Sequence, residues 1–155
     1  KDKIEVIIDN NEKKKKKKKN IISIPGIGKL TAVIVLAETN GFELIRNKKQ
    51  LTSYAGLDVK EKQSGTSVRG KPRISKKGNR SLRKAMYLPS LSAVKYDENF
   101  KGQYVRIVSK HGIKKKGLIA VQRKMLELIY TLFKNKTVYD KNYESKKSSA
   151  KILVA

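Results

Sequence analysis

The chain has 155 residues, no cysteine, and 38 Lys+Arg against 13 Asp+Glu, for a net charge of +25. That length supports one domain, able to bury about 70% of its unfolded surface. The missing thiols exclude a disulfide framework or a thiolate metal site, and no apolar run approaches the ~20 residues of a membrane span. The charge excess points to a polyanionic partner. Nucleic acid is favoured over an anionic membrane surface, because the cations are spread along the chain rather than along one amphipathic helix.

The chain begins with Lys1 rather than Met and reads as the C-terminal part of a longer protein, in a cytoplasmic, reducing setting. Residues 1–20 form a basic linker or the end of a coiled coil: Ile4, Val6, Ile7 and Ile8 are mixed with charge, and the run Lys13 to Lys19 follows. Such a run is a solvated spacer as readily as a binding segment, since like charges repel along any helix. Ile24-Pro25-Gly26-Ile27-Gly28 is a tight turn, and residues 29–38 are an apolar helix. Leu30, Val33, Ile34 and Ala37 follow its helical spacing, but Val35 and Leu36 fill other faces, which predicts a central helix. The turn resembles the hairpin of helix-hairpin-helix DNA-binding motifs, in which glycines let backbone N–H groups face a phosphate.

Gly41 breaks that helix. Asn47 and Gln50 fit a capping box for a short helix carrying Leu51, Tyr54 and Ala55, closed by Gly56. Residues 58–74 have no helical period and read as a short β-hairpin or irregular loop, in which Pro72 disfavours a long central strand. Asn79 or Ser81 opens the next helix, with Leu82, Ala85 and Met86 inward and a kink or division at Pro89. Asp97 caps a helix ending near Gly112, lined by Phe100, Tyr104, Ile107 and Val108. Gly117 precedes the most regular stripe, Leu118, Val121, Met125, Leu128, Ile129 and Leu132, which is core packing. Residues 137–155 read as a polar, poorly ordered tail. The fold class is therefore mainly α, with a helix-hairpin-helix-like element and a short β-hairpin or irregular loop.

Residues 64–83 hold hydroxyls, glycines and cations with no acidic residue. Gly65 and Gly70 allow close backbone approach. Arg69, Lys71, Arg73, Lys76, Lys77, Arg80 and Arg83 can neutralise phosphate, with Ser67 and Ser75 placed to position phosphate or cap the following helix. Together with Gly26, Gly28 and Lys29 they are the candidate nucleic-acid-binding set. Ser64 is either a nucleophile or a phosphate-binding serine. Asp58 and Glu61 are the only carboxylates close before it, too few for a two-metal nuclease, and no Ser-His-Asp arrangement involves the lone His111.

Four segments carry a resemblance: Ile24-Pro25-Gly26-Ile27-Gly28-x-x-Thr31-Ala32, Tyr54-Ala55-Gly56-Leu57, Ser64-Gly65-x-Ser67-x-x-Gly70, and Ile74-Ser75-Lys76-x-Gly78-Asn79-x-x-Leu82-Arg83. In this order, and over residues 21–136, they are similar to the C-terminal domain of the bridge-RNA-guided insertion-sequence transposases, which are related to Piv-type DNA invertases. The resemblance implies that Ser64 attacks DNA to form a phosphoserine link. It implies a separate N-terminal acidic domain holding a divalent metal such as Mg, with no cofactor on the residues present here. It further implies DNA and a guide RNA as partners and a homodimeric or homotetrameric full-length protein. The expected function is the serine-bearing, DNA-binding domain of a transposase or site-specific recombinase, inactive by itself. The alternatives are a non-catalytic helix-hairpin-helix nucleic-acid-binding module and a basic ribosome-associated RNA-binding protein.

Overall fold

The computed structural model describes residues 18–60, 63–64, 68–69 and 73–143. Residues 18–22 are helical, and Lys18, at the end of the lysine run, is buried rather than solvated. Ile21, Ile24 and Ile27 enter the core at intervals of three as the chain turns through Pro25 and Gly26. Helix α1 (Lys29–Glu38) follows, with Gly28 as its N-cap in extended conformation. Its inward residues are Ala32, Val33 and Val35, with Leu36 partly buried against the core, whereas Leu30 is 56% exposed and Ala37 is also outside. The face expected from spacing is thus rotated. A helix apolar on nearly all sides carries little directional signal, so its neighbours decide which side is covered.

After α1 a 3-10 turn at Asn40–Phe42 uses left-handed backbone at Asn40, Gly41 and Phe42. A bulky residue at φ 63 is unfavourable. Phe42 is held there by complete burial and by edge-on contacts to Phe133 and Tyr130, at centroid distances of 4.8 and 5.7 Å. Helix α2 (Lys48–Tyr54) starts at the Asn47 cap, whose Oδ1 accepts the Gln50 N–H at 2.8 Å; the Gln50 side-chain Oε1 in turn accepts the Arg46 N–H. It ends in a Schellman motif: Gly56, at φ 68, donates to Ser53, and Leu57 donates to Thr52.

Strands β1 (Val59–Lys60), β2 (Gln63–Ser64), β3 (Val68–Arg69) and β4 (Arg73–Ile74) form two nested antiparallel ladders. The outer one pairs Val59 with Ile74 and Lys60 with Arg73; the inner one pairs Gln63 with Arg69 and Ser64 with Val68. This is the pairing order of one hairpin, the first of the two forms, hairpin or irregular loop, that the sequence allows.

Helix α3 (Arg80–Ala85) begins at Asn79, whose Oδ1 accepts the Leu82 N–H. It stops at Met86, where α4 (Tyr87–Tyr96) begins, so that Pro89 sits in the first turn of a new helix, where a missing N–H is harmless. Helix α5 (Glu98–His111) starts at Asp97 and ends at left-handed Gly112. Helix α6 (Lys114–Asn135) starts four residues before the apolar stripe, so Gly117 lies inside it. There a Cβ would meet the Tyr104 ring and Val108, so the glycine lets α5 and α6 approach closely. The stripe is wider than its spacing indicates, taking in Leu126 and Phe133 as well.

The residues after Thr137 do not begin as a loose tail. Tyr139 donates from its backbone to the Ser23 hydroxyl and from its own hydroxyl to Asp97, and its ring stacks on Phe100. Asn99 adds a bond to the Lys141 carbonyl. One buried cluster joins Ile21, Phe42 and all six helices, and the hairpin lies between α2 and α3 in the chain.

Candidate nucleic-acid interface

The hairpin leaves the body through two chain segments that interlock. Ser75 N–H donates to the Asp58 carbonyl at 2.9 Å, Lys76 N–H to the Gly56 carbonyl at 3.1 Å, and Asn79 N–H to the Tyr54 carbonyl at 2.7 Å. Side chains reinforce these bonds. The Ser75 hydroxyl donates to Asp58 Oδ1 at 2.5 Å and accepts the Lys77 N–H at 3.3 Å. Asn79 Nδ2 donates to Glu38 Oε2 at 2.5 Å, and the Tyr54 hydroxyl donates to the Glu38 carbonyl. Arg83 Nη1 donates to the Ala55 carbonyl at 2.7 Å, satisfying an acceptor at the end of α2.

The backbones meet so closely that two glycines are required. A Cβ on Gly56 would lie 3.0 Å from the Lys77 carbonyl, and one on Gly78 would collide with the Tyr54 carbonyl; both residues have positive φ. Lys76 is itself left-handed, at φ 53.

Around this root the cations face outward. Arg73, Lys76, Lys77 and Arg80 are exposed, and among the described residues no carboxylate pairs with them. Lys60 belongs with them: it stands directly opposite Arg73 in the outer ladder, and both are exposed. Like charges facing across a ladder repel, an arrangement that a polyanion would relieve. Sequence reasoning passed over Lys60 because nothing local shows that residues 60 and 73 are partners.

The candidate residues fall into two groups. Arg73, Ser75, Lys76, Lys77, Arg80 and Arg83 gather at the root, where Ser75 and Arg83 are engaged in holding the protein together. Gly26, Gly28 and Lys29 lie at the opposite end of α1 from Glu38, about 14 Å along the axis. Gly26, at φ 87, has a packing duty: a Cβ there would lie 2.5 Å from the Pro89 carbonyl of α4. Gly28 is open, with no atom within 4 Å of a Cβ built on it. Ser67 and Lys71 lie outside the described residues, as do the side chains of Ser64 and Arg69. Among the described residues no three His, Cys, Asp or Glu side chains come together to hold a metal ion, and no helix is long and apolar enough to cross a membrane.

The module is thus a clamped, cation-rimmed hairpin on a helical body. Residues 18–105 match the Transposase IS116/IS110/IS902 family, and the chain belongs to that family. It is 33% identical over 121 residues to the pilin gene-inverting protein of Moraxella bovis, covering 77% of this chain and 37% of that protein. The pilin gene-inverting protein of Moraxella lacunata matches to the same extent. An insertion element IS110 protein of 43.6 kDa from Streptomyces coelicolor is 28% identical over 118 residues, 76% of this chain and 29% of that protein. The chain thus spans about a third of the length of these relatives.

Proposed function

We propose that residues 21–136 are the serine-bearing, DNA-binding domain of a DNA transposase or site-specific recombinase, and that Ser64 is its nucleophile. The observation that carries this reading is the family match over residues 18–105, a span that contains the whole basic hairpin. The name of the Moraxella relatives, a gene-inverting protein, fits DNA strand exchange. Ser64 stands in the inner ladder, paired with Val68.

In the proposed step, Ser64 Oγ attacks a DNA phosphorus and one P–O bond to the adjoining nucleotide breaks. The serine proton goes to water or to a base of another domain, and the departing strand end leaves as a hydroxyl. Attack by a strand hydroxyl on the phosphoserine reverses the step and releases the serine. Arg73, Lys76, Lys77, Arg80 and Lys60 stabilise the negative charge that grows on the phosphate oxygens. The divalent ion of this reading, Mg, belongs to an acidic domain of the full-length protein, as do a guide RNA and assembly into a dimer or tetramer.

The test is denaturing electrophoresis of full-length protein with labelled DNA and guide RNA, comparing alanine variants at Ser64, Ser67 and Ser75. Loss of the covalent adduct in the Ser64 variant, with DNA binding kept, is expected. An adduct that persists in Ser64→Ala would sink the assignment.

A second reading rests on Gly28. Its open surroundings at the start of α1 suit a helix-hairpin-helix-like phosphate contact through backbone N–H groups. That role would serve a non-catalytic binding module equally well.

A further inference from the structure

A serine carried near the tip of a hairpin is only as well aimed as the hairpin's base. Ser64 lies six positions along the chain from Asp58, up to about 20 Å of extended chain. Over that reach a rotation of about 10° at the base moves Ser64 by about 3.5 Å, whereas a misplacement of about 1 Å can cost 10²-fold in rate. Something must therefore fix the angle at which the hairpin leaves the body, and the outer ladder, two residue pairs long, is too short to do so alone.

We propose that Asp58 and Ser75 are positioning residues for the serine chemistry, their side-chain bond setting the angle of the hairpin and hence the place where Ser64 meets DNA. The bond closes the ladder at its root. Asp58 and Ser75 immediately flank the Val59–Ile74 pair, and their backbones are already joined by the Ser75 N–H. The hydroxyl has a second duty in the same direction: it accepts the Lys77 N–H and so fixes the turn that carries Lys76 and Lys77. Behind it, Asn79 ties the returning strand to Glu38 at the end of α1 while capping α3 with its other side-chain atom. The chain thus runs from the helical body to the first ladder pair through consecutive side-chain bonds. The core needs none of the Asp58–Ser75 contact: both residues are only half-buried, and the apolar cluster closes without them.

This inference rests on the Ser64 reading, and the experiment separates the two. Full-length Ser75→Ala, Ser75→Thr, Asp58→Asn and Ser64→Ala are compared for the rate of adduct formation at saturating DNA, for DNA Kd and for melting temperature. The expected results are a roughly 10²-fold slower adduct in Ser75→Ala with Kd changed less than about threefold, and recovery to within about tenfold of the parent in Ser75→Thr, which keeps the hydroxyl. Asp58→Asn keeps an acceptor and should lose about threefold to tenfold in rate at an unchanged melting temperature. An unchanged rate in Ser75→Ala overturns the proposal, as does a loss that follows the unfolded fraction. Should Ser75→Ala fail to fold, an unchanged rate in Asp58→Asn overturns it equally. An adduct that survives in Ser64→Ala refutes the nucleophile and overturns the proposal with it, whereas an adduct lost there but formed at an unchanged rate in Ser75→Ala overturns the proposal alone.

Discussion

The α5–α6 pair and the root of the hairpin hold their shape by different means. Along α6, Val121, Met125, Leu126 and Ile129 are fully buried, so stability there is a sum of many small, non-directional terms. At the root Ala55 and Leu57 are buried and Ile74 is partly so, but the segments that carry the hairpin meet through polar groups. The root is held by directional bonds between Tyr54, Gly56, Asp58, Ser75, Lys76 and Asn79, and by two glycines with no room for a side chain. The first kind of structure yields gradually when perturbed. The second either fits or does not, which suits a part whose task is to hold an angle.

The sharpest way to break this contrast is Gly78→Val. A side chain at φ 146 is strained by roughly 1–3 kcal/mol, and its Cβ would run into the Tyr54 carbonyl and the Gly56 N–H, adding roughly 1–3 kcal/mol of overpacking. A total loss of about 4 kcal/mol is expected in urea denaturation. Even Gly78→Ala should lose most of that, because the first carbon makes the collision. In α6 the response should be graded. Leu126→Ala leaves a cavity and should cost about 3 kcal/mol, whereas Leu126→Met should cost less than about 1.5 kcal/mol. Equal losses for the two Leu126 variants, or a tolerated Gly78→Ala, would erase the distinction.

The same contrast explains what the sequence reveals. The α6 stripe and the caps at Asn47, Asn79 and Asp97 are legible because their partners lie within one or two turns of the same chain segment. So is the Gly112 stop, since a left-handed helix end favours glycine. The root is not legible, because the Ser75–Asp58 and Asn79–Glu38 bonds span 17 and 41 residues. Ser75 and Arg83 read from sequence as phosphate contacts; only the fold shows the acceptors that occupy them. Gly26 and Gly117 raise the same difficulty, since each is a glycine on account of a distant neighbour, Pro89 in one case and Tyr104 in the other. The orientation of α1 was hidden for the opposite reason: apolar residues surround it, and no pattern marks a preferred side. For the cationic rim the residue types were plain, but the Lys60–Arg73 opposition required the register.

The smallest effect on stability, and the most informative about binding, belongs to Gly28. Gly26 and Gly28 look equivalent in the sequence, yet one is packed against α4 and the other is open. Gly26→Ala should therefore damage the fold and cannot report on DNA. Gly28→Ala meets no neighbouring atom, and its φ of −87 suits any residue. It loses only the preference of glycine over alanine at an N-cap, about 0.5–1 kcal/mol. With folding kept, DNA affinity becomes readable. If the N–H groups that open α1 hold a phosphate, a methyl group at Gly28 obstructs the approach. Affinity then falls while the log–log salt slope stays nearly unchanged, because neutral N–H donors, unlike Lys or Arg, neutralise no phosphate charge. Fluorescence anisotropy of labelled duplex DNA across a salt series measures both quantities. A drop in affinity at nearly the same slope would mark the start of α1 as a DNA contact separate from the hairpin. Unchanged affinity and slope would remove the helix-hairpin-helix reading and leave the cationic rim of the root as the DNA-binding surface.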